Sequence, residues 1–286
     1  MKIGIRADTL DVGSYGRWGE LTYKKLRELG FECSDYNMMS TETVIYEAEE
    51  KETEKILAHE KELAEDAGIE IFQAHGPWCW PLRDKTSEGR KERMEKMQRS
   101  IRMASYLGCK NWVIHPIMPF GTSDLLNGNA ENTWELNIEF MSQLVEYAKE
   151  YDVTVCLENM PMLDFSISKP EDILKLVKEI DDEYFKICFD TGHAAVFNEL
   201  NPAEEIKRLG DEIRTLHIHD NKENRDLHLL PYFGIIDWRS IVDALNEINF
   251  TGSFSLEAVP PRKVSDDLFE DISRLTVKIV DKIISG

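Results

Sequence analysis

The sequence predicts an α/β fold, a closed (β/α)8 TIM barrel of eight parallel strands with outer helices. Three observations predict it. Short β-like runs alternate with amphipathic helical stretches along the whole chain. There are eight such runs, and no low-complexity tract, short repeat or linker-like break separates them. The length of 286 residues is close to the roughly 250 that such a barrel takes as one unit, so residues 1–286 are expected to form a single domain. A doubly wound sheet also alternates strand and helix, but it would more often carry a Gly-rich phosphate turn after its first strand. Asp8-Thr9-Leu10 is not such a turn.

In chain order, the expected strands are 2–6, 31–36, 70–75, 111–115, 153–158, 185–190, 214–219 and 253–259. Each is followed by a helical stretch. Gly30 and Gly68 end the first two, because a residue free to take positive φ closes a helix without strain. The stretch 90–107 places Met94, Met97, Ile101 and Ala104 on one face, and Gly108 stops it. Ser168 and Glu171 read as a capping box, with Pro170 in the first turn. Asn201-Pro202 opens the next helix. Asp237 caps another, whose buried face is Trp238, Ile241, Leu245 and Ile248. The last, 267–284, repeats Leu268, Ile272, Leu275, Ile279 and Ile283.

Side chains alternate faces along a strand. Glu158 therefore shares a face with Cys156 and Thr154, Asp190 with Cys188, and Glu257 with Ser255, opposite the bulky apolar residues of each run. The bulky set meets the helices, and the small and polar set faces the axis. Three carboxylates then converge at the C-terminal ends of the strands, where parallel α/β folds place their chemistry. Their burial without a partner is costly, and a cation resolves the problem. Near them, at strand ends or in the following loops, lie His75, His115, His193, His217, Asp226 and His228, whereas His59 falls mid-helix. Carboxylate and imidazole donors without thiolate suit Mn²⁺, Co²⁺, Mg²⁺ or Zn²⁺.

His217 and His219 share parity, so one of them is expected to reach the metal. Asp220 either orients an imidazole or caps a turn with Asn221. Trp78 and Trp80 follow His75 and are candidates to wall a pocket or stack on a sugar face. Arg6 is expected in a salt bridge at the axis.

Lys and Arg total 34 against 54 Asp and Glu, a net charge of −20, which disfavours a polyanion such as DNA as partner. The first residues lack the apolar core of a signal peptide, and no apolar stretch approaches the roughly 20 residues that span a bilayer. The five cysteines (Cys33, Cys79, Cys109, Cys156 and Cys188) are far apart, which reads as reduced thiols in a cytoplasmic protein without a membrane partner. Assembly into a homo-oligomer is left open.

The most specific segments are Leu-Glu-Asn at 157–159, Phe-Asp-Thr-Gly-His at 189–193, His-Ile-His-Asp-Asn at 217–221, Asp-Leu-His-Leu-Leu-Pro at 226–231, Gly-Ile-Ile-Asp-Trp at 234–238 and Ser-Leu-Glu at 255–257. Together they resemble the xylose-isomerase-like TIM barrels. That superfamily comprises sugar (phosphate) isomerases and epimerases and also holds endonuclease IV. The resemblance runs from Ile3 to about Val259. It implies a metal held by Glu158, Asp190, His217 and Glu257. His217 is preferred to His219 because the family pattern His-x-x-Asp fits His217 and Asp220. Glu158 and Glu257 would be the catalytic pair, and His193 would contact substrate. His75, His115, Trp78, Asp226 and His228 would surround a small sugar.

The implied activity is metal-dependent isomerisation or epimerisation of a sugar or sugar phosphate, by proton abstraction next to a carbonyl. The alternative is a zinc phosphodiesterase acting on abasic DNA, since in endonuclease IV all nine corresponding positions bind three zinc ions. A non-enzymatic sugar-binding protein is a third class. The chain departs from the nuclease at Met160-Pro161-Met162-Leu163, and from both patterns at Pro231-Tyr232-Phe233-Gly234.

Overall fold

The computed structural model describes residues 1–11, 15–78, 84–258, 260–261 and 263–286. Cys79, Trp80 and Val259 lie outside the described residues. The strands are β1 (Lys2–Arg6), β2 (Cys33–Asn37), β3 (Glu70–His75), β4 (Asn111–Ile114), β5 (Thr154–Glu158), β6 (Phe185–Asp190), β7 (Ile213–His217) and β8 (Ser253–Leu256). The long helices are α1 (Thr22–Leu29), α2 (Glu50–Ala67), α3 (Ser87–Tyr106), α4 (Ala130–Lys149), α5 (Pro170–Ile180), α6 (Pro202–Leu209), α7 (Trp238–Glu247) and α8 (Asp266–Ser285). The strands pair in parallel in the order β7-β6-β5-β4-β3-β2-β1-β8. A parallel bridge between Ile218 and Leu256 joins the two ends of that order. This is a nearly closed (β/α)8 barrel, as the alternation of runs predicts.

The chemistry of each segment explains its boundaries. Gly30 and Gly68 close α1 and α2 in the left-handed region, at φ 107° and 70°. Asp237 caps α7 by accepting from the backbone N–H of Arg239 and Ser240. The box expected at Ser168 and Glu171 lies one residue on: Asp172 accepts from the Lys169 backbone N–H at 3.1 Å, while the Ser168 hydroxyl donates to the Met162 carbonyl. Helix α3 starts at Ser87 rather than 90, because the Thr86 hydroxyl caps a polar first turn that carries no apolar period. Strand β2 starts at Cys33 rather than 31. Phe31 is fully buried and meets Tyr15 edge-on at 5.5 Å, so the chain enters the core there before the strand begins.

The core has the two layers that strand parity predicts. Large residues such as Trp112, Phe185, Phe189 and Phe254 pack outward against the helices, each contributing about 1.5–3 kcal/mol on burial. Val113, Cys156 and Cys188 form a separate small cluster inside the barrel. Burial raises the thiols of Cys33, Cys109, Cys156 and Cys188 to about 12, so all four are protonated core filling. Among the described residues, no helix is long and apolar enough to cross a membrane.

Candidate active site

The strand ends β5, β6, β7 and β8 bring Glu158, Asp190, His217 and Glu257 together. One ligand-capable atom from each lies within 4.8 Å of the others, and all four residues are buried. Glu158 is the hub. Its Oε1 is 2.9 Å from His217 Nδ1, and its Oε2 is 3.0 Å from His115 Nε2 and 3.3 Å from His75 Nε2. Burial opposes its charge, yet His217 and His115 hold its carboxyl well below the usual range. Glu257 Oε1 accepts from Arg6 Nη1 at 3.2 Å, the expected axis salt bridge, and Oε2 is 3.5 Å from His228 Nδ1. It too is held low against burial, by His217, His228 and Arg6. Asp190 Oδ1 accepts from the His193 backbone N–H at 2.6 Å and so caps the short helical turn Thr191–Ala195. Its Oδ2 is buried and has no hydrogen-bond partner among the described residues.

A second set lies beside the first. His193, His219, Asp226 and His228 also bring ligand-capable atoms within 4.8 Å of one another, and His75, Glu158 and His217 form a third. His193 Nδ1 donates to the Asn159 carbonyl at 2.8 Å, which turns Nε2 toward Asp226, 3.5 Å away. Burial disfavours its charge, but Asp190, Asp226 and Glu158 overcome this and lift it to about 10. Burial, helped by the charges of His75 and His193, pushes His115 down to about 4, even against the attraction of Glu158.

His217 belongs to the first ligand-capable set and His219 to the second. Strand β7 ends at His217, and Ile218 then turns to pair with β8. His219 instead stacks on His228 with ring centroids 4.1 Å apart. Among the described residues, Asp220 hydrogen-bonds to no imidazole. Its Oδ1 accepts from the backbone N–H groups of Asn221, Ile235 and Ile236, and its Oδ2 from Trp238 Nε1, so it pins both ends of the loop that carries Asp226 and His228.

A cavity of about 290 Å³ opens above these residues, lined by Arg6, Met39, Trp78, His115, Glu158, Met160–Met162, His193, Asp226, His228 and Glu257. Six of the expected site residues line it besides the two glutamates only if His75 is counted, and it is not: His75 is buried behind His115, and its ring stacks on that of His217. Trp78 does form a wall, edge-on to His115 at 4.5 Å. Asp190 and His217 lie buried below. Asp35, which reaches His217 from across the barrel, and Gln73, which donates to Asp35, were not expected from the sequence, nor was Asn159, whose amide clamps both backbone groups of Asp190.

The donor set fits a divalent ion. It is rich in ionised oxygen and imidazole, contains no thiolate, and leaves a buried carboxylate oxygen of Asp190 without a partner.

Comparison with known proteins agrees with this geometry. The sequence model described as xylose isomerase-like TIM barrel matches residues 23–275. An uncharacterized protein, MJ1311 of Methanocaldococcus jannaschii, is 34% identical over 173 residues, 59% of this chain and 57% of that protein. The chain thus spans a little over half the length of that relative. A probable endonuclease 4 of Acholeplasma laidlawii is 24% identical over 64% of this chain and 66% of its own length. Among solved structures, a D-tagatose 3-epimerase-like protein superposes with a TM-score of 0.77 at 27% identity, covering 100% of this chain and 98% of that one.

Proposed function

The chain belongs to the xylose isomerase-like TIM barrel family, and from that premise we propose that it is a metal-dependent isomerase or epimerase of a sugar or sugar phosphate. The observation that carries this reading is that Glu158 and Glu257, from non-adjacent strands, both line the cavity, while Asp190 and His217 lie beneath it. The likeness to the D-tagatose 3-epimerase-like structure supports a sugar as the small-molecule substrate. We place the reaction in the cytoplasm, with neither nucleic acid nor membrane as partner.

A divalent ion held by Glu158, Asp190, His217 and Glu257 would supply Lewis acidity to substrate oxygens. The chain's own groups move the proton. With their carboxyls held low, Glu158 and Glu257 are ionised near neutral pH. One accepts the proton from the carbon next to the substrate carbonyl, and the other returns a proton there. His193, whose Nδ1 is committed to the Asn159 carbonyl, offers Nε2 to a substrate oxygen. Trp78, Met160, Pro161 and Met162 supply apolar walls that limit water around the exposed carbanion.

The test is a panel of ketoses and aldoses in D₂O with Mn²⁺, followed by NMR. Deuterium should enter at a carbon next to the carbonyl. Glu257→Gln should still bind sugar but exchange about 10²–10⁴-fold more slowly. Parental exchange in the Mn²⁺-loaded variant rules out the two-carboxylate mechanism.

One observation favours a second reading, a zinc phosphodiesterase acting on abasic DNA: two further ligand sets adjoin the first. Against it stands the net charge of −20. No incision of an abasic duplex is expected at moderate salt with excess Zn²⁺. Stoichiometric incision that vanishes in His228→Ala makes this second reading the correct one.

A further inference from the structure

The ring of His217 is held from both sides. Nδ1 faces the carboxylate cluster, 2.9 Å from Glu158 Oε1. Nε2 faces away from it, 2.9 Å from Asp35 Oδ2. Asp35 sits on β2, on the far side of the barrel in strand order, and is 1% exposed. The same Oδ2 accepts from Gln73 Nε2 at 2.9 Å, and that nitrogen also lies 3.3 Å from the carbonyl of Leu216, the residue before His217. Gln73 therefore ties the carboxylate to the strand whose histidine it contacts. The parallel pairing of β2 with β3 shifts register between Ser34 and Asp35. Such irregularities re-aim a side chain, and here the shift falls at the residue that reaches across the axis. The His75 ring lies 7° from parallel to the His217 ring, with centroids 5.6 Å apart.

We propose that Asp35 is the positioning residue that fixes which ring nitrogen of His217 meets the metal. Oδ2 already accepts from Gln73 Nε2, and as an acceptor 2.9 Å from His217 Nε2 it places the proton on that ring nitrogen. With that proton pinned, Nδ1 is the nitrogen that can give up its own and offer a lone pair to the cluster. Gln73 keeps Asp35 from rotating its oxygen away. The inference rests on the proposed metal site and adds a residue that none of the ligand motifs contains.

The test uses the full chain, with Zn²⁺ as the probe. In ¹⁵N-histidine-labelled, Zn²⁺-loaded protein, long-range ¹H–¹⁵N spectra should show His217 protonated at Nε2 and bare at Nδ1. Asp35→Asn is nearly isosteric, but its amide can turn an N–H toward Nε2 and favour the wrong tautomer. Zn²⁺ affinity, measured by chelator competition, should fall about 10–100-fold while the melting temperature stays close to the parent's. Gln73→Met, which frees Asp35 without removing it, should weaken Zn²⁺ binding less. Parental Zn²⁺ affinity in a folded Asp35→Asn overturns the inference and leaves the metal site standing. If that variant does not fold, the parental spectrum decides alone: a proton on Nδ1 of Zn²⁺-loaded His217 overturns it. A parent that takes up no divalent ion overturns the inference and the metal reading together.

Discussion

Gly192 shows how tightly single residues are constrained around the ligand sets. A methyl group placed on its Cα would overlap the His219 imidazole. The glycine leaves room for that ring, which is stacked on His228 with centroids 4.1 Å apart. Gly192→Ala is expected to cost about 1–3 kcal/mol through overpacking and to displace His219. A melting temperature equal to the parent's, with unchanged metal content, would show that the ring has somewhere to go. At this scale strand parity anticipated where three carboxylates meet. The parity of Glu158, Asp190 and Glu257 follows from regular strand ends, and the structure buries all three where their ligand-capable atoms meet. It concealed Asp35. Cys-Ser-Asp-Tyr-Asn carries no apolar alternation, and the register shift inside it breaks the period on which a parity argument depends.

Among elements, the packing of α1 and α2 beside the end of β1 buries acids that the proposed mechanism does not use. Glu60, in the middle of α2, accepts from the hydroxyls of Tyr23 on α1 and Thr9 after β1. Burial raises Glu60 to about 7 and Asp8 to about 7. In the unfolded chain both ionise near pH 4. The native state therefore holds more protons between about pH 4 and 7, and the stability these groups lend is full below that window and lost as pH rises through 7. Parent protein should melt at a lower temperature at pH 8 than at pH 5, and Glu60→Gln should flatten part of that fall. An identical pH slope in parent and variant would mean that Glu60 is ionised throughout. Helix ends marked by Gly30, Gly68 and Asp237 were readable because one residue determines each. The box expected at Ser168 and Glu171 was misplaced by one because Asp172 rather than Glu171 reaches back to the N-cap backbone N–H, and the N-cap is Lys169, whose side chain only donates.

For the whole molecule, alternation of strand and helix was enough to predict the barrel, since its repeat is local in sequence. Closure follows from the same alternation, but the form of the seam was not readable, because β7 ends at His217 and meets β8 only through an isolated bridge at Ile218. Strands β7 and β8 are joined through Ile218, whose N–H donates to the Ser255 carbonyl at 2.8 Å and whose carbonyl accepts from Glu257 N–H at 3.0 Å. The residues flanking this clasp are His217 and Glu257, two of the proposed ligands. Breathing of the hoop at that point would pull apart the ligands on its two sides, so ion capture and ring closure become one equilibrium. Zn²⁺ at 100 times its Kd would add about 2.7 kcal/mol to the closed form, and the amides of Ile218 and Glu257 should then exchange with solvent deuterium roughly 100-fold more slowly. Amides of β3 and β4, far from the clasp, should change much less. Equal slowing around the whole ring would mean that the barrel opens as one piece and that the clasp is no weaker than any other ladder.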